Sequence, residues 1–173
     1  MRGRGLVGQE NMACQCEIGL FSGRFDPPTA GHFVCVETLM LKYSQVIVVI
    51  LDYKGRDGCT AEKAKQLWDY HFDLILPPIV RSKVIVTINT HHFGQITKEQ
   101  LEAYLEKNNL KFDIYLSGNV EVLKHMESQG YKCRYVPRVA FPLDYSVYAA
   151  TDVRKTMKNM DMSMEDYYRI ETK

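Results

Sequence analysis

Apolar positions along this chain fall into short unbroken runs separated by longer stretches with helical spacing. The runs are residues 17–22 (EIGLFS), 45–51 (QVIVVIL), 83–88 (KVIVTI), 112–116 (FDIYL) and 132–136 (KCRYV). Continuous apolar runs suit parallel strands covered on both faces, whereas a strand with one wet face would alternate. Between them, residues 31–42 place Phe33, Val36, Leu39 and Met40 at helical spacing. Residues 61–76 predict a second amphipathic helix, opened by Thr60 as N-cap and stopped at Pro77-Pro78. Thr97 and Gln100 make a capping box, with Ile96 and Leu101 as its hydrophobic staple. Residues 119–128 predict a fourth helix ending near Gly130, and two short helices are expected after Thr151 and Ser163.

Strand and helix alternating in this way predict one Rossmann-like, doubly wound α/β domain with about five parallel strands and flanking helices. Its expected extent is residues 16–173, behind a flexible leader at 1–15. Gly3, Gly5 and Gly8 of the leader match a dinucleotide fingerprint, but no strand precedes them, so the match is accidental. In such folds ligands bind outside the carboxyl ends of the strands, which directs attention to the loops leaving them.

Composition narrows the picture. The 22 Lys+Arg against 21 Asp+Glu give a net charge of +1, so any anion site is local and a nucleic-acid partner is not expected. No apolar run reaches the ~18 residues of a spanning helix, so no membrane partner is expected either. Five cysteines (Cys14, Cys16, Cys35, Cys59, Cys133) read as reduced thiols in a cytoplasmic protein. Neither the tight Cys14/Cys16 spacing nor the adjacent His91-His92 pair, which lacks a third ligand, predicts a protein-held metal.

The first loop carries the chemistry. Gly23 permits a tight exit from the strand, Pro27 and Pro28 stiffen the loop, and Thr29 is a good N-cap for the next helix. Thr29 and His32 are three apart and share one side of the first turn, while Gly31 leaves room against the backbone. Free N–H groups, the positive end of the helix dipole, a hydroxyl and an imidazole then converge, as a phosphate site requires. Asp26 suits a second role, accepting backbone N–H bonds to fix the turn.

Residues 23–32 (GRFDPPTAGH) resemble the phosphate-binding signature of the nucleotidyltransferase superfamily, G-x-F-D-P-x-[HT]-x-G-H. The T-x-G-H form is that of phosphopantetheine adenylyltransferases, and the opening Gly-Arg-Phe looks like that of nicotinamide mononucleotide adenylyltransferases. The superfamily's second signature, near I-S-[SGA]-T-x-[IV]-R, is matched by residues 148–154 (YAATDVR), with Ala149 standing where many members have Ser. A second departure is Ala64, where the family often has Arg.

The resemblance implies transfer of a nucleoside monophosphate, first AMP from ATP, to a phosphorylated small molecule such as nicotinamide mononucleotide, with release of pyrophosphate. An acceptor phosphate is already ionised, so no general base is needed and catalysis reduces to orientation and charge neutralisation. By the resemblance, His32, Thr29 and Arg154 are catalytic. Gly23, Arg24, Phe25, Asp26, Gly31, Gly118, Asn119, Arg138 and Thr151 line the nucleotide, and Lys54 and Arg56 face the acceptor. Lys54 and Arg56 read equally well as a solvated basic loop. Mg²⁺ is the implied cofactor, bridging phosphates and waters. A CTP-dependent cytidylyltransferase acting on an alcohol phosphate and a degenerate nucleotide-binding regulator remain open, as does assembly into a homo-oligomer.

Overall fold

A computed structural model describes residues 16–137 of the chain. The elements are β1 (Ile18–Gly23), α1 (Ala30–Met40), β2 (Gln45–Leu51), α2 (Ala61–Ile75), α3 (Pro78–Arg81), β3 (Val84–Asn89), α4 (Lys98–Lys107), β4 (Ile114–Ser117), α5 (Val120–Ser128) and β5 (Cys133–Tyr135). The five strands form one sheet in the order β3-β2-β1-β4-β5, with every neighbouring pair parallel. The expected leader, the second signature and the two last helices lie outside the described residues.

The unbroken apolar runs find their explanation in two cores. Val46, Val48 and Ile50 of β2 point into one, with Phe33, Val36 and Leu39 of α1 and Leu67, Trp68 and Phe72 of α2. Ile47, Val49 and Leu51 point into the other, with Leu101 and Tyr104 of α4 and Val122, Leu123 and Met126 of α5. Successive side chains of a strand face opposite sides, so a strand buried on both has no position left for a polar residue. The sheet is therefore doubly wound. The chain leaves β1 towards β2 and β4 towards β5, which makes the gap between β1 and β4 the switch point where such folds hold ligands.

Pro77-Pro78, expected only to stop the second helix, also opens α3. Pro78 sits in its first turn, where a missing N–H costs nothing. The polar residues that close β1 and β4 are buried in register. Ser22, Tyr115 and Ser117 share the α4/α5 face of the sheet, and the Tyr115 hydroxyl bonds that of Ser22. Burial pushes the Tyr115 phenol far above its ordinary range, so it stays protonated. Among the described residues, no helix is long and apolar enough to cross a membrane, and Cys16, Cys35, Cys59 and Cys133 carry free thiols.

The capping box of α4 is formed as expected. Thr97 Oγ1 accepts the Gln100 N–H at 3.1 Å, and Gln100 Oε1 accepts the Thr97 N–H at 3.0 Å. Thr97→Ala removes the forward half of this pair and is expected to lower stability by about 1 kcal/mol. Urea unfolding checks this: the midpoint falls while the slope stays constant.

Candidate active site

The site starts at Gly23, the last residue of β1. A Cβ there would lie 2.9 Å from the Phe25 ring, because the chain doubles back at once. Phe25 takes a left-handed φ of 47° and drives its ring into the core, edge-on to Trp68 and to the His32 imidazole, each at 5.0 Å between centroids. The resemblance assigns Phe25 and Asp26 to the nucleotide. Both are instead buried supports, 3% and 2% exposed.

Asp26 accepts the N–H groups of Gly58 and Cys59 on Oδ1, at 2.9 and 2.7 Å, and that of Asp57 on Oδ2 at 3.1 Å. Its carboxylate thus ties the first loop to the second, which is the turn-fixing role the residue type suggests.

Arg56 corrects an expectation. The resemblance puts it on the acceptor side, but its guanidinium turns inward, 3.9 Å from Asp26, with the side chain 7% exposed. Nε donates to the Cys59 carbonyl, Nη1 to those of Arg24 and Leu51, and Nη2 to that of Phe25, with Cys59 Sγ at 3.8 Å. A guanidinium has five N–H donors, and these partners use all of them. None remains for an acceptor phosphate. Lys54, in the same loop, is exposed and is the cation of the pair that can reach a ligand.

Thr29 caps α1 with extended backbone (φ −121°, ψ 169°). Its N–H donates to His32 Nδ1 at 3.0 Å, the return half of a capping box with His in the place usual for Glu or Gln. Because Nδ1 accepts there, the neutral imidazole carries its proton on Nε2. Thr29 itself is 1% exposed, its hydroxyl 3.3 Å from the same Nδ1. The resemblance has it meet a phosphate directly; in this geometry it orients the imidazole. At Gly31 an added Cβ would meet only Thr29 Oγ1, at 3.8 Å, so space is open over the first turn of α1.

Arg24 is the loop's uncommitted cation. Its Nε and Nη2 are buried without a hydrogen-bond partner, and Cζ lies 4.8 Å from the centroid of the Tyr53 ring. Leaving such donors unmet is costly, and a group of this kind has N–H donors to offer an anion.

Across the switch point, Ser117 closes β4 and Asn119 caps α5. Asn119 Oδ1 accepts the N–H groups of Glu121 and Val122 at 3.0 and 3.4 Å, and the Asn119 N–H donates to Ser117 Oγ at 3.0 Å. Its expected contact with ribose or base is therefore not available to Oδ1. Gly118 is demanded by the protein itself, since a Cβ would lie 3.1 Å from the Val136 carbonyl oxygen. Arg138, Thr151 and Arg154 lie outside the described residues.

Of the adjacent pair His91-His92, His92 Nδ1 accepts the Gly94 N–H at 2.8 Å and so shapes its own turn. Among the described residues no group of three or more His, Cys, Asp or Glu side chains is placed to hold a metal. Tyr53, absent from the sequence expectations, stands between Arg24 and His92, with 4.7 Å between its ring centroid and that of the imidazole. A single aromatic in a loop carries no sequence signal that would have found it.

The two readings of Arg56 separate by experiment. As a brace, Arg56→Lys keeps the charge but loses most of the fork, and is expected to cost about 3 kcal/mol of stability by leaving Asp26 and several carbonyls poorly met. An acceptor ligand would instead raise KM for the acceptor with the unfolding midpoint unchanged, so denaturation and kinetics on one variant decide.

No protein-family model matches the chain. Its sequence is 28% identical over 152 residues to the nicotinamide-nucleotide adenylyltransferase of Sulfurisphaera tokodaii, covering 80% of this chain and 77% of that protein. It is 26% identical over 158 residues to the same enzyme of Pyrobaculum arsenaticum, covering 86% and 80%. Among solved structures, a bifunctional NMN adenylyltransferase/ADP ribose pyrophosphatase from Francisella tularensis superposes with a TM-score of 0.65 at 16% identity, over 90% of this chain and 48% of that one. A NadR protein in complex with NAD and AMP-PNP superposes with a TM-score of 0.55 at 16% identity, over 83% and 43%. The chain spans about half the length of these structural neighbours, and with them it shares the fold. In its first signature, in sequence over four fifths of its length and in the winding of its sheet, the chain resembles the nucleotidyltransferases that adenylylate nicotinamide mononucleotide.

Proposed function

We propose that the chain transfers AMP from ATP to nicotinamide mononucleotide, forming a dinucleotide and releasing pyrophosphate. The observation that carries the reading is the 23–32 loop. It holds an arginine, Arg24, whose Nε and Nη2 are buried without a hydrogen-bond partner, and opens a helix whose imidazole is fixed as an Nε2–H donor. Likeness to two nicotinamide-nucleotide adenylyltransferases supports this choice of acceptor.

In the reaction an oxygen of the acceptor's phosphate attacks the α-phosphorus of ATP, and the bond from that phosphorus to the bridging oxygen of pyrophosphate breaks. The attacking oxygen is already anionic, so no side chain has to remove a proton. The protein's part is to hold the triphosphate and meet the charge that builds on it. His32 Nε2–H and the first N–H groups of α1 face that charge, Arg24 supplies a second cationic fork, and Gly31 lets the phosphate approach the backbone. Lys54 serves the acceptor side. The resemblance adds Gly118 and Asn119 along the nucleoside, Arg138 in the donor pocket, and Thr151 and Arg154, from the second signature, on the β- and γ-phosphates.

A divalent ion fits this set as a passenger of the nucleotide. Asp26, the buried carboxylate of the loop, has its oxygens taken by backbone N–H groups, and Mg²⁺ keeps most of its waters and binds chiefly through phosphates. When bound it would offset phosphate charge; no described side chain cages it. One related structure holds AMP and a manganese ion. We place the protein in the cytoplasm, where free thiols persist.

Incubation with ATP, Mg²⁺ and nicotinamide mononucleotide should yield NAD and pyrophosphate in equal amounts, with CTP or phosphopantetheine giving far less. Absence of NAD would overturn the reading, and turnover with CTP would transfer it to the cytidylyl class. His32→Ala should lower kcat roughly 100-fold, the worth of one preorganised donor. The same change should cost only about 1 kcal/mol of stability, for the lost capping partner.

A further inference from the structure

We propose that Tyr53 is a positioning residue: its ring holds the Arg24 guanidinium, by cation–π contact, in the orientation that meets a phosphate oxyanion. The inference rests on reading the first loop as a phosphate cradle. An arginine with two buried, unpartnered nitrogens should swing to water unless something retains it. Cζ of Arg24 lies 4.8 Å from the Tyr53 centroid, well inside the ~6 Å reach of such contacts.

The second loop closes on the same group. Gly55, with φ of 97°, brings its backbone so near that a Cβ would lie 3.5 Å from Arg24 Nη2. Arg56 bonds the Arg24 carbonyl and so fixes the backbone from which the side chain starts. The Tyr53 ring is itself set by His92, tilted 55° to it, and His92 is held by the Gly94 N–H. Loops from β1 and β2 thus meet at one guanidinium, and the loop from β3 backs the ring that holds it.

The choice of a ring over a carboxylate has a chemical reason. A carboxylate would hold Arg24 by taking its N–H groups and would then compete with phosphate for them. A π face attracts the cation while taking none of its in-plane donors.

The test is ATP affinity of the full-length chain by calorimetry, with thermal unfolding as control. Tyr53→Phe keeps the ring and should bind within about twofold of the parent. Tyr53→Leu keeps apolar bulk without the quadrupole and should weaken binding by about 3- to 30-fold. In an Arg24→Ala background, Tyr53→Leu should change nothing further. A series of increasingly fluorinated phenylalanines at position 53 alters the ring's charge distribution at nearly constant shape, and affinity should fall along it even if the leucine variant does not fold.

Unchanged affinity in Tyr53→Leu, a fluorination series without a trend, or an equal loss in the Arg24→Ala background would each overturn the inference while the cradle stands. A parent chain that binds no ATP would overturn the phosphate reading of the loop, and this inference with it.

Discussion

Asp26 and Arg56 join the first two strand exits into one body. The carboxylate collects three backbone N–H groups from residues 57–59, and the guanidinium returns bonds to carbonyls of residues 24, 25, 51 and 59. Neither charge has water to fall back on, and neither loop has regular hydrogen bonding of its own at these positions. Each side chain satisfies backbone groups that would otherwise be buried and unmet. The left-handed turn at Phe25 persists because its carbonyl and its ring are both held. The place of His32, packed against that ring, is set by the same joint.

Below this joint the two faces of the sheet differ in kind. The α1/α2 side is aromatic: Phe25, Phe33, Trp68 and Phe72 pack ring against ring directly under the first loop. The α4/α5 side brings hydroxyls to the top of the sheet, with Ser22, Tyr115 and Ser117 buried beside the switch point. One face fixes the imidazole by shape, while the other keeps β1 and β4 in step by hydrogen bonds that only matched registers allow.

Much of this was legible in the residues. The five runs located the five strands within two positions, most plainly in β2, where burial on both faces leaves an unbroken apolar pattern. Thr60 and Thr97 marked helix starts because capping is a local matter of a few atoms. The 23–32 string marked the loop that opens α1. What the sequence concealed is which members of that string face a ligand. Phe25, Asp26 and Thr29 look like contacts in a motif, yet their side chains point into the protein, a distinction set by the turn at Phe25 and by the second loop. Arg56 and Lys54, two residues apart and alike in charge, have opposite fates because only one meets Asp26. Partnerships across 31 residues leave no trace in local spacing.

The guanidinium at position 24, with Nε and Nη2 short of hydrogen-bond partners, also bears on how this protein would respond to selection. On the proposed phosphate role, an apolar residue of similar bulk there would remove a desolvation penalty borne whenever the pocket holds no anion, so heat-resistant variants should be easy to find at this position and should come out inert. Durability and chemistry pull in opposite directions at a single side chain.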